Sequence, residues 1–275
     1  MKNSFIRIAL ILVVSYLLFC AYLFVNQRSY IYFPRPGLQN EWSVITDGVS
    51  VFELNNQGIT LRGWALNKDR HQAIIYFGGN AERVEANIPE FRKTFSGHSV
   101  YLAPYRGYGG IEGTATEENL YSDALAIYDE VAKRHAEIFI IGRSLGSGVA
   151  TYLASVRKVD KLILVTPFDS MVNLAREFYP LFPVGLFLID QYDSASRVGQ
   201  LESQTLVMVA GKDEIVPRQN TERLLSAFKP DHLTVKVIDQ ATHNSISTYP
   251  EYLKTLADFV NNSGIPGSGQ NKKPL

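Results

Sequence analysis

The stretch Ile138-Phe139-Ile140-Ile141-Gly142-Arg143-Ser144-Leu145-Gly146-Ser147-Gly148 decides the fold. Its apolar run predicts a buried strand that stops at Gly142. Val149, Ala150, Tyr152, Leu153 and Ala154 then continue as a helix. Between them lies Gly142-Arg143-Ser144-Leu145-Gly146, a G-x-S-x-G frame. A serine on so sharp a strand-to-helix turn sits in a strained backbone, and a Cβ at either flanking glycine would crowd the neighbouring strand or helix. The helix N-terminus points at the serine, where negative charge develops during acyl transfer. An ordinary glycine-rich turn is the competing reading. The strand before and the helix after favour a nucleophile elbow with Ser144 as nucleophile.

Outward from the elbow, strands and helices alternate. Val49–Leu54 and Ile59–Leu66, joined by Asn55-Asn56-Gln57-Gly58, read as a hairpin. Further strands are expected at Ala73–Phe77, Ser99–Ala103, Glu137–Ile141, Leu162–Thr166, Thr205–Ala210 and Leu233–Ile238. Helical segments fall near 81–95, 116–134, 145–157, 218–228 and 248–261, with Pro89 interrupting the first. The pattern predicts an α/β fold: a mostly parallel central sheet with helices on both faces. Residues 167–200 are too long for a bare connection and crowd Phe168, Met171, Leu174, Phe178 and Phe182 among prolines, so a short helical cap is expected there. A helix hairpin on the side of the sheet is the alternative.

Open α/β sheets do their chemistry at the carboxyl ends of strands. His71, His98 and His232 precede strands and His135 ends a helix, which leaves His243 as the base that could reach Ser144. Asp213 follows the strand ending at Ala210 and completes the order Ser144, Asp213, His243. Asp169, after the preceding strand, competes for the role of acid. An oxyanion hole needs one backbone N–H from the residue after the nucleophile, Leu145, and one from the turn Gly78-Gly79-Asn80-Ala81, assigned to Asn80 with Gly79 second. Arg106 and Tyr108, in Tyr105-Arg106-Gly107-Tyr108-Gly109, and Phe168 are candidate substrate-binding residues; for Arg106 an arginine that braces its own loop through buried hydrogen bonds is the favoured reading.

The chain has 275 residues, with 27 basic and 27 acidic side chains, and this balance gives no reason to expect nucleic acid as a partner. The only cysteine is Cys20, which rules out a disulfide, a structural zinc site and a cysteine nucleophile in the catalytic part. No metal-ligand spacing is present, and no cofactor is called for. Residues 8–25 carry no charge and are long enough to span a bilayer. Their bulky exit, Ala21-Tyr22-Leu23-Phe24-Val25, argues for an uncleaved anchor over a signal peptide. Lys2 and Arg7 on one side and Arg28 and Arg35 on the other nearly balance, so the orientation follows from a short N-terminus that stays cytoplasmic, which would put the catalytic domain on the non-cytoplasmic side. The expected organisation is an anchor at 1–27, an aromatic connector at 28–48 that includes Trp42, a catalytic domain at 49–261 and a disordered tail at 262–275.

Taken together, Gly-Gly-Asn-Ala at 78–81, Tyr-Arg-Gly-Tyr-Gly at 105–109, Gly-Arg-Ser-Leu-Gly at 142–146, Gly-Lys-Asp-Glu-Ile-Val-Pro at 211–217 and Thr-His-Asn at 242–244 resemble the α/β-hydrolase superfamily. The nearest branch is the small, membrane-anchored serine hydrolases of the ABHD type. The resemblance covers roughly residues 45–260 and implies Ser144 as nucleophile, Asp213 as acid and His243 as base. It also implies an acyl ester or thioester substrate, with lipid-derived esters among the candidates. The chain departs from the branch at Gly78, where histidine is usual, and at Pro104 and Ile111. Two other functions fit the pattern: a small-peptide serine peptidase, and a non-catalytic binding protein on a hydrolase fold.

Overall fold

The computed structural model describes residues 2–36 and 48–262. Most of the expected connector, with Trp42, and the tail beyond 262 lie outside the described residues. Eight strands form one sheet: β1 (Val49–Asn56), β2 (Ile59–Leu66), β3 (Gln72–Phe77), β4 (Ser99–Leu102), β5 (Glu137–Arg143), β6 (Lys161–Val165), β7 (Gln204–Ala210) and β8 (Leu233–Ile238). Their order across the sheet is β1-β2-β4-β3-β5-β6-β7-β8. The β1–β2 hairpin and the β2–β4 pair are antiparallel, and every later pair is parallel. All eight expected strands are present, with ends shifted by a residue or two.

The helices are α1 (Lys2–Ile31), α2 (Ile88–Thr94), α3 (Glu117–Ala132), α4 (Leu145–Val156), α5 (Met171–Phe178), α6 (Val184–Phe187), α7 (Ala195–Val198), α8 (Arg218–Ala227) and α9 (Pro250–Asn261). The two-residue period of β3 sorts its side chains to opposite faces. Ala73, Ile75 and Phe77 join the core under α3 and α4, whereas Ile74 and Tyr76 join the core under α2 and α9. Pro89 does not interrupt a helix as expected. A short 3-10 turn occupies Val84–Asn87, and Pro89 falls in the first turn of α2, where its missing N–H goes unused.

The segment after β6 forms α5 and α6 over the carboxyl edge of the sheet. Its last part, α7, instead packs beside α4 and α8, so the cap is shorter than 167–200. Helix α1 is long and apolar enough to cross a membrane. It runs through Ile31, past the expected anchor boundary at 27. Its buried residues Leu23, Gln27 and Ile31 are spaced four apart and so share one face. That face meets the cap: Gln27 Nε2 donates to the Phe187 carbonyl at 3.3 Å, and the Ile189 amide donates to Gln27 Oε1 at 2.7 Å. Arg28 pairs with Asp190 at 3.0 Å, and the Tyr32 and Tyr192 hydroxyls share a buried hydrogen bond of 2.8 Å.

Candidate active site

Ser144 caps α4 with φ 49° and ψ −116°, left-handed backbone that a residue with a Cβ rarely adopts. Neighbouring backbone holds it there: its amide donates to the Val165 carbonyl at 2.9 Å, and Ser147 Oγ donates to its carbonyl at 2.6 Å. The flanking glycines are required by close approach. A Cβ on Gly142 would stand 2.3 Å from the Gly146 carbonyl oxygen, and one on Gly146 would stand 2.1 Å from the Phe77 carbonyl oxygen.

His243 reaches this serine from the loop after β8. Its Nε2 lies 2.8 Å from Ser144 Oγ, and its Nδ1 lies 3.0 and 2.9 Å from the two carboxylate oxygens of Asp213. An ionised carboxylate only accepts, so Nδ1 carries the proton and Nε2 is left to accept from the serine hydroxyl. Asp213 Oδ1 also accepts from the amides of Ile215, at 3.0 Å, and Val216, at 2.8 Å, which fixes the carboxylate in place. His243 is buried, and the Asp213 side chain is only 9% exposed, so water competes little for these bonds.

Asp169 lies elsewhere. It is fully buried and accepts from Asn173 Nδ2 at 2.6 Å, Asn220 Nδ2 at 2.9 Å and Arg223 Nε at 2.6 Å. This network ties the start of the cap to α8 and leaves the imidazole to Asp213.

Two expectations about substrate-facing groups, at Gly79 and Tyr108, are corrected, and Arg106 takes the bracing place favoured for it. The Gly79 amide donates to Glu82 Oε2 at 2.6 Å, so it does not face a substrate. Arg106 is 4% exposed and forms a two-point ion pair with Asp123, Nε to Oδ2 at 2.6 Å, which braces its own loop. The Tyr108 hydroxyl donates to Asn80 Oδ1 at 2.7 Å and accepts from the Phe33 amide at 3.1 Å, so it positions Asn80 and does not line the cavity. Phe168 does line it.

The Asn80 side chain joins the site to the end of α1. Its Nδ2 donates to the Ile31 carbonyl at 2.7 Å, and its Oδ1 accepts from the Phe33 amide at 3.0 Å. Glu82 and Arg143, not singled out from sequence, form the other brace. Glu82 Oε1 accepts from the Tyr76 hydroxyl at 2.6 Å and from Asn87 Nδ2 at 2.8 Å. Arg143 stands 3.6 Å from Glu82 Oε2, and its Nη2 reaches the carbonyls of His243, at 3.5 Å, and Asn244, at 3.4 Å. The spacing of Glu82 three residues beyond Gly79 was the available sequence signal, because that interval lets a carboxylate cap an upstream amide.

A cavity of about 250 Å³ opens at Ser144. Leu145, Asn80 and Phe168 border it, α5 contributes Leu174 and Phe178, and α1 contributes Leu23, Gln27 and Ile31. Among the described residues that line it, none is charged. Among the described residues no group of three or more His, Cys, Asp or Glu side chains is placed to hold a metal ion.

No family model matches the chain. Among curated relatives, an uncharacterized protein of Mycobacterium tuberculosis strain H37Rv is 33% identical over 216 residues, 75% of this chain and 76% of that one. The lysophosphatidylserine lipase ABHD12 of Bos taurus is 30% identical over 227 residues, which span 70% of this chain but 56% of the relative. Among solved structures, the Pyrococcus furiosus esterase Pf2001 superposes with a TM-score of 0.63 at 18% identity, covering 83% of this chain and 97% of that one. Mouse α/β hydrolase domain-containing protein 10 gives a TM-score of 0.61 at 20% identity, covering 77% and 96%.

Proposed function

We propose that this chain, which belongs to the α/β-hydrolase superfamily and has an N-terminal helix fit to cross a membrane, is a serine hydrolase acting on acyl esters or thioesters through an acyl-enzyme on Ser144. The observation that carries the reading is the unbroken run Ser144 Oγ, His243 Nε2, His243 Nδ1, Asp213 at hydrogen-bond distances, opening onto an apolar cavity. Ser144 attacks the acyl carbonyl as His243 takes its proton, and Asp213 steadies the imidazolium. The amides of Leu145 and Asn80 hold the oxyanion; neither donates to another group among the described residues. His243 then returns the proton to the leaving alcohol or thiol, and later activates water for deacylation.

The uncharged cavity suits the acyl chain and leaves a polar head group outside it. A single-chain lipid ester is the preferred substrate class, in line with the activity in the name of the Bos taurus relative. The catalytic domain is assigned to residues 49–261 on the non-cytoplasmic side, because a short N-terminus stays cytoplasmic by default; Lys2 and Arg7 before the apolar stretch and Arg28 and Arg35 after it nearly balance.

The test is fluorophosphonate labelling of the purified full chain in detergent micelles. Wild type and Asp169→Asn should label, Ser144→Ala should not, and Asp213→Asn should label at least a hundredfold more slowly. A folded wild type that resists the probe would overturn the reading.

A further inference from the structure

Residues 178–189, Phe-Tyr-Pro-Leu-Phe-Pro-Val-Gly-Leu-Phe-Leu-Ile, contain no charged side chain. Such a segment on a protein surface in water would normally turn inward. Here Leu181 and Leu186 are 80% and 82% exposed, and Phe178, Phe187 and Ile189 are also exposed. Five exposed large apolar side chains within twelve consecutive residues are the composition of an interaction site.

Its neighbour identifies the occupant. The cap tip lies beside the apolar stretch of α1, not beyond its end. The Tyr16 hydroxyl donates to the Leu181 carbonyl at 2.8 Å, and the Phe24 and Phe187 rings meet edge-on at 6.0 Å. Tyr16 and Phe24 both fall inside the charge-free residues 8–25. At 1.5 Å per residue, Tyr16 stands about 18 Å along the helix from Arg28, the first charge after the stretch. A cap tip fixed at that level cannot sit in water while α1 sits in lipid.

Much of the tip's backbone is satisfied without water, although the amides of Leu181 and Gly185 have no acceptor among the described residues. Lipid leaves no solvent to satisfy a free N–H or C=O. Pro180 and Pro183 bring no N–H. The amides of Phe182, Val184, Leu186 and Leu188 donate to carbonyls within the tip. The Leu181 and Phe187 carbonyls accept from Tyr16 and Gln27 of α1, and the Ile189 amide donates to Gln27. The charges resume at Asp190, which pairs with Arg28 where both chains leave the apolar level.

We propose that the cap tip, residues 178–189, is a second membrane-binding element that inserts beside α1 into the bilayer leaflet on the catalytic domain's side. Phe178 and Phe182 also line the catalytic cavity, so the same insertion places its apolar wall against the lipid phase.

The test uses the full chain in phosphatidylcholine nanodiscs and reads no catalysis, so it stands apart from the proposed reaction. Cys20→Ser removes the only cysteine, and Leu181→Cys, Leu186→Cys or Lys68→Cys then carries a fluorophore. Lys68 is exposed at the opposite edge of the sheet. Nitroxide groups on the lipid acyl chains should quench the labels at 181 and 186 at least twofold, with aqueous iodide ineffective, and the Lys68 label should show the reverse. Iodide quenching at 181 and 186 equal to that at 68 would overturn the proposal. Shielding from both quenchers would also overturn it, pointing to a protein partner such as a second copy. Each labelled variant must melt with the wild type, and the two tip positions back each other if one does not.

Discussion

Replacing Gly146 with alanine tests how the elbow and the oxyanion turn are packed together. Gly146 lies in the first turn of α4, directly beneath the end of β3. Its added Cβ would meet the Phe77 carbonyl oxygen at 2.1 Å, some 1.3 Å short of the 3.4 Å at which ordinary contact begins, and the Gly78 carbonyl oxygen at 2.6 Å. Both atoms are backbone and cannot rotate away. Phe77 and Gly78 run straight into Gly79-Asn80, so relief of the clash has to move the turn that offers the Asn80 amide. Overpacking of this kind destabilises by about 1–3 kcal/mol. A displacement near 1 Å costs on the order of a hundredfold in rate when it misplaces a group that acts on the transition state. The expected result for Gly146→Ala is a lower melting temperature in micelles, kcat on a p-nitrophenyl ester down about a hundredfold, and KM within about twofold. A variant that melts with the wild type and turns over within threefold of it would refute the packing argument.

Other perturbations read other parts of the site. Asn80→Ala removes three hydrogen bonds, to Ile31, Phe33 and Tyr108, and should lower kcat about tenfold with little change in KM, while Tyr108→Phe does less; steady-state kinetics separates the two. Asp213→Asn should lower kcat by about ten-thousandfold without loss of stability, because it disturbs the imidazole tautomer and not the fold. Asp169→Asn should do the opposite, leaving buried partners unmatched at a cost of about 1–3 kcal/mol in chemical denaturation, with kcat within a few-fold of wild type. Burial lowers the pKa of His98, with Lys161 adding to the effect, and burial likewise lowers that of His135. The unfolded chain therefore takes up protons that the folded chain refuses. Stability should hold above about pH 6.5 and fall as pH drops below it, by at most about 1.4 kcal/mol per pH unit for each histidine. Replacing both by glutamine should flatten that slope in denaturation curves measured between pH 4 and 7.

The sheet was legible because its information is local. The central strands are continuous apolar runs such as Ile138–Ile141 and Leu162–Val165, and the hairpin announces itself by alternation around Asn56-Gln57-Gly58. The rule that chemistry gathers at the carboxyl edge points to Ser144, Asp213 and His243 from sequence, and the structure brings the three together. What escaped depends on contacts far apart in sequence. Gln27 and Phe187 are 160 residues apart, and nothing in the periodicity of α1 says that Leu23, Gln27 and Ile31 face a cavity and not lipid. Arg106 was ambiguous because an arginine beside a site and an arginine bracing a loop have the same sequence; burial against Asp123 decides between them. Sequence alone leaves the Gly79 amide free to donate, and it is the folded turn that puts the Glu82 carboxylate on it. Pro89 looked like an interruption because its place relative to a helix start depends on where the 3-10 turn ends.

The central claim is a covalent acyl-enzyme on Ser144. Intact-mass spectrometry of the full chain, acid-quenched during turnover of a p-nitrophenyl ester, tests it most directly. The expected result is a mass increase equal to one acyl group, mapped to the peptide containing Ser144 and absent from Ser144→Ala. Turnover with no adduct, or an adduct on another residue that survives in Ser144→Ala, would contradict it.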